Sequence, residues 1–246
     1  MANTDSLINI APSLFKEHLL KPTHSSPIFR EGTTNYWPSI VLFVVFALYV
    51  TVKAYDVKKL MKVLGSVFSL QMAKQLYRED YKPNKRMSIL LTMGFIAMLS
   101  FLIYTINKYF GIVLNDYSSL NQYLFFVLVV IGIYSVKLTV NSVLSNILTI
   151  QELGREYSFN IFTHAQTTGI ILFPMLLCIQ YAKYPTEWFI YPAVIICLGL
   201  YLMRLFRGFV ISALEQNVGV IYIFLYLCAL EILPVLVLIK FLLNNF

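Results

Sequence analysis

The sequence predicts an all-α, polytopic helical membrane protein with about six transmembrane helices and one amphipathic helix on the cytoplasmic surface. Three observations predict it. The 246 residues are 59% hydrophobic and only 13% charged, with a mean hydropathy of +0.72, beyond the range of an ordinary soluble domain. The apolar residues gather in runs of about 20, the length that crosses a hydrocarbon core of about 30 Å. Basic residues collect beside those runs, with nine Lys or Arg between Lys53 and Arg86 against Asp56, Glu79 and Asp80. The excess of 19 Lys and Arg over 12 Asp and Glu therefore reads as membrane topology and not as a nucleic-acid surface.

Residues 1–36 carry Ser, Thr, Asn and three prolines without a basic start and apolar core, so they predict an external tail and not a cleavable signal peptide. The rest, 37–246, is expected to form a single helical membrane domain with spans at about 38–55, 87–109, 121–143, 160–182, 188–209 and 218–243. The first span opens at Trp37-Pro38, where proline tolerates the first helical turn and tryptophan anchors at the interface. Beyond it, Val57, Leu60, Met61, Leu64, Phe68 and Met72 line one stripe of a helix that reads as lying on the membrane. Its basic loop, 53–86, is a candidate site for anionic lipid or a protein partner.

The second span, up to Phe110, carries no charge between Arg86 and Lys108. The third becomes polar along one face, with Lys137, Asn141, Ser145, Thr149, Glu152 and Glu156 at spacings of three and four. That spacing predicts one long helix continuing to about Leu153. The fourth span starts polar, with Asn160, Thr163, His164, Gln166, Thr167 and Thr168, and turns apolar around Pro174; the fifth ends in Arg204 and Arg207. Three helices thus bring polar groups to one level, and Lys137, Asn141, Glu156, Asn160, His164 and Arg204 are expected to line one cavity open to the cytoplasm, with Arg207 part of the same candidate polar site.

The last span places Glu231 inside an apolar run, with Pro234 just beyond it. A carboxylate near mid-membrane costs roughly 2.5 kcal/mol or more to insert, so it should face protein or water and be paired or protonated. Proline removes a backbone donor, so Pro174 and Pro234 are expected helix kinks. Glu231 and its neighbouring kink mark the candidate centre of function, either as a proton-carrying group or as the acid that pairs with Lys137 or an arginine of the inner layer.

The run Leu225 to Pro234, together with Gly169-Ile170-Ile171-Leu172-Phe173-Pro174, Arg204 and Arg207-Gly208, resembles a family of small polytopic membrane proteins of Bacteroidetes classified as a domain of unknown function. The resemblance covers most of the chain after about Ser26. It implies the inner membrane of a Gram-negative bacterium and supplies no activity.

No Walker loop, HExxH, GxSxG or CxxC occurs, so no catalytic residue, metal or cofactor is expected. Cys178, Cys197 and Cys228 fall inside expected spans and read as small apolar residues. Two functions fit: a noncatalytic component or regulator of an envelope assembly, which the short outer loops favour, or a small transporter with a polar vestibule leading toward Glu231. Positive-inside charge places both termini outside.

Overall fold

The helices form where apolar runs meet residues that stop them. Gly111, with φ at 64°, ends the second long helix in the left-handed conformation that glycine adopts without steric cost, and its N–H bonds the Asn107 carbonyl at 2.7 Å. The computed structural model describes residues 36–55, 57–69, 72, 76, 85–111, 117–147, 151–182 and 185–213. These comprise six helices, α1 (Trp37–Tyr55), α2 (Val57–Phe68), α3 (Lys85–Phe110), α4 (Ser119–Ile147), α5 (Gln151–Tyr181) and α6 (Glu187–Ala213). Five of them, all but α2, are long and apolar enough to cross a membrane. The expected sixth span at 218–243, with Glu231 and Pro234, and the tail up to residue 35 lie outside the described residues.

α5 is the centre. It packs against each of the other five helices, and 56% of its apolar window is buried, against 11% for α4. Its 31 residues extend for about 46 Å at 1.5 Å per residue, longer than the hydrocarbon core. At one end of the bundle, Trp37, Phe101, Tyr104 and Tyr123 from α1, α3 and α4 form an aromatic cluster with ring centroids 4.9 to 6.3 Å apart. Such pairs contribute about 0.5–1.5 kcal/mol each beyond their burial. Midway, α3 and α5 approach so closely that a Cβ on Gly169 would lie 2.6 Å from the Phe95 Cα. That contact requires glycine.

One expectation is corrected. The polar periodicity from Lys137 does not run along a single helix: α4 ends at Ile147 and α5 begins at Gln151, so Glu152 and Glu156 belong to the next helix. The chain turns back because α5 packs onto α4, where Asn141 reaches across and Gly154 lets the backbones meet; a Cβ there would lie 2.3 Å from Ser145 Cβ. No Gly or Pro at 148–150 announces the turn.

α2 also packs on the bundle through a face the sequence reading did not single out. Val57 and Met61 of its expected membrane stripe are exposed, and Val63, Ser66 and Val67 on the other side of the helix are buried. This face packs on α5, and the core cluster there joins Val63 to Val52, Leu76 and Leu91. α2 is thus part of the bundle wall. The cause is polar as well as apolar, because α2 offers backbone carbonyls that side chains of α5 and α6 use.

Candidate functional site

The polar layer is built mainly on the first half of α5. Asn160, Thr163, His164, Gln166, Thr167 and Thr168 are all buried within nine residues of one helix. Polar groups removed from water need partners, and the neighbouring helices supply many of them. Gln166 Nε2 donates to Ser88 Oγ at 2.7 Å, with the Ser88 carbonyl and Thr92 Oγ1 at 3.1 and 3.2 Å, which ties α5 to α3. The Thr167 hydroxyl lies 3.2 Å from the Val63 carbonyl of α2 and 3.0 Å from the Thr163 carbonyl of its own helix.

Asn141 is the corresponding group on α4. Its Nδ2 donates to Ser158 Oγ at 2.6 Å and to the Gly154 carbonyl at 3.0 Å. Lys137, one turn earlier on α4, is half-buried. Pro174 lies exposed inside α5, whose helix continues through it from Gln151 to Tyr181.

The arginines come from α6. Arg207 Nη1 donates to the Ser66 carbonyl and Nη2 to the Ser69 carbonyl at 3.2 Å, at the C-terminal end of α2. The last carbonyls of a helix have no partner within it and carry the negative end of the helix dipole. A planar guanidinium, with five donors in a fork, suits two of them at once. Arg207 therefore caps α2 from a neighbouring helix. Glu156, half-buried on α5, lies within electrostatic reach of Arg207.

His164 faces both Arg204 and Arg207 closely enough to feel their charge. Exposure is 1% for Asn141, 5% for Asn160, 2% for His164, 6% for Arg204 and 7% for Arg207. These five side chains are buried. Some buried polar atoms have no hydrogen bond, among them both ring nitrogens of His164, Asn160 Nδ2 and Arg207 Nε. Among the described residues no three His, Cys, Asp or Glu side chains are placed to hold a metal ion.

His164 of α5 thus lies within electrostatic reach of Arg204 and Arg207 of α6, while Asn141 ties α4 to the first turns of α5 through Gly154 and Ser158. Glu231, the expected centre, lies outside the described residues. Sequence reasoning passed over Ser88, Thr92 and Ser158 as partners and the α2 carbonyls as acceptors. Hydroxyl residues at the start of α3 gave some signal for the first two. Backbone carbonyls are common to every residue and give none.

No curated protein and no solved structure matches this chain. A family model described as Domain of unknown function (DUF4271) matches residues 39–242, which include all five described spans except the first two residues of α1. The polytopic membrane protein built around this buried polar helix therefore belongs to the DUF4271 family.

Proposed function

We propose that the protein is a noncatalytic component or regulator of an envelope assembly in the inner membrane, with its basic loop 53–86 on the cytoplasmic side and both termini outside. The observation that carries this reading is the use of the polar layer. Asn141, Gln166, Thr167 and Arg207 are engaged in bonds between helices. Interhelical bonds of this kind contribute about 0.6 to 1.7 kcal/mol each in a membrane, so none holds the bundle alone, but together they select one register of α2, α3, α4 and α5. Side chains held this way and buried from water build a rigid body. A carrier needs the same groups to face an aqueous path in at least one of its states.

Glu231 completes the proposal as the one carboxylate of the last expected span, serving as a proton-carrying group or as a partner for Lys137 or an arginine. The basic loop is the proposed contact for anionic lipid or for an acidic region of a protein partner. Purification of the full chain in mild detergent tests the reading. A partner retained at fixed stoichiometry is expected, and its retention should weaken with added salt because exposed charges are screened within about 8 Å at physiological ionic strength. A chain that purifies alone and binds a small solute would contradict it.

A further inference from the structure

We propose that the groove between α1 and α5 holds one acyl chain of a membrane lipid, selected by its hydrocarbon and not by its headgroup. The groove has a volume of about 590 Å³, inside the range of about 300–1,000 Å³ that small ligands occupy. Ile40, Phe43 and Phe46 form its α1 wall, Phe173 and Leu177 its α5 wall, and Tyr36 and Tyr181 stand at one end. Tyr36 precedes α1 and Tyr181 closes α5, so that end lies at the membrane surface away from the basic loop. Tyrosines at such a level sit among headgroups.

Packing holds the deep end in shape. Phe46 stacks on Phe173 with ring centroids 6.1 Å apart, and Tyr49 meets the same ring edge-on at 5.7 Å. Tyr49 is itself wedged against two glycines: a Cβ on Gly94 of α3 would lie 2.6 Å from its ring, and one on Gly169 of α5 would lie 3.0 Å from its hydroxyl. The two walls are therefore kept at a set spacing from inside the bundle.

Medium and size select the occupant. Ile40, Phe43 and Phe46 are exposed on a helix long and apolar enough to cross the membrane, so the groove is continuous with surface that meets lipid. Water does not fill an apolar hollow, and an empty one forfeits dispersion contacts along both walls. From Tyr36 to Phe46 the groove follows α1 for about 15 Å at 1.5 Å per residue, which gives its 590 Å³ a mean cross-section of about 40 Å². A helix about 10 Å across has roughly twice that section and would enter only by its side chains. An acyl chain enters along its whole length. Among the described residues that line the groove none carries a charge, so nothing there ranks headgroups by charge. Inside a bilayer the gain is close packing against fixed walls, because the chain leaves hydrocarbon and not water.

Native mass spectrometry of the full chain, exchanged into mild detergent from vesicles of equal phosphatidylcholine and phosphatidylglycerol, tests the site. One phospholipid retained per chain is expected, with the two headgroups in about equal amounts. Ile40→Trp and Leu177→Trp fill the groove from opposite walls, and each should remove the retained lipid. Leu128→Trp, at an exposed position of α4, should keep it. A wild-type chain that retains no lipid, or retention in either filled variant, would overturn the site. Retention of phosphatidylglycerol alone would overturn selection by the chain. A co-purifying polypeptide that is lost in both filled variants would show that the groove seats a partner helix and overturn the lipid assignment. If the filled variants do not fold, a phosphatidylcholine with a diazirine midway along its chain decides on the wild-type protein in vesicles. Adducts concentrated on Ile40, Phe43 and Leu177 over the exposed Leu128 and Val136 of α4 support the proposal, and even labelling contradicts it.

Discussion

Arg207 shows how one side chain sets the place of a whole element. A guanidinium buried at the end of a membrane span has to spend its donors, and the C-terminal carbonyls of α2 are acceptors that a helix cannot satisfy internally. Arg207→Met keeps much of the apolar stem and deletes both bonds. It should cost about 2–4 kcal/mol, since hydrogen bonds to charged groups contribute about 1.5–3 kcal/mol each and part is recovered by no longer burying the cation. A lowered unfolding midpoint, with faster proteolysis around 57–69, is the expected result. Glu231 calls for a different experiment: Glu231→Gln keeps size and hydrogen bonding while removing titration and charge. Normal insertion and abundance with lost cellular function is expected, and a fully functional variant would reduce Glu231 to a packing contact.

At the scale of elements, glycines separate packed faces from lipid-facing ones. Gly169 sits against the Phe95 backbone, whereas an added Cβ at Gly132 on α4 would meet nothing within 4 Å. Gly169→Ala should therefore destabilise by about 1–3 kcal/mol through overpacking. Gly132→Ala should be neutral or stabilise by up to about 1 kcal/mol through helix propensity. Equal unfolding midpoints for the two variants would contradict the close α3–α5 approach. The spans themselves were legible because an apolar run of sufficient length needs no tertiary information. The turn between α4 and α5 was not, since Leu148-Thr149-Ile150 has no breaker and the three- and four-residue polar spacing continues across it. The buried face of α2 escaped for a related reason. A residue pattern ranks side chains by polarity, but Ser66 is buried here because Arg207 approaches its carbonyl.

For the whole molecule, the layer of polar residues near the basic loop was visible from sequence, and its state was not. Asn160, His164, Arg204 and Arg207 stand at one level because α5 begins and α6 ends on the same side as that loop. Whether such a layer faces water depends on how closely the helices meet, which residue types do not encode. The proposed orientation of the bundle rests on charge, since nine positives between Lys53 and Arg86 resist translocation. Reporter fusions after Glu79 and at Phe246 should give opposite responses, and matching responses would remove the arrangement of six spans with external termini.

The closed polar layer is the property on which the assembly reading rests most directly, and thiol labelling measures it. Asn141→Cys and Asn160→Cys, compared with the buried apolar control Leu176→Cys in intact membranes, should all resist a small water-soluble thiol reagent applied from the basic-loop side. Protection of all three is expected, because Asn141, Asn160 and Leu176 are each at least nine-tenths buried. Rapid labelling at 141 and 160 with protection at 176 would show a water-filled vestibule and contradict the account.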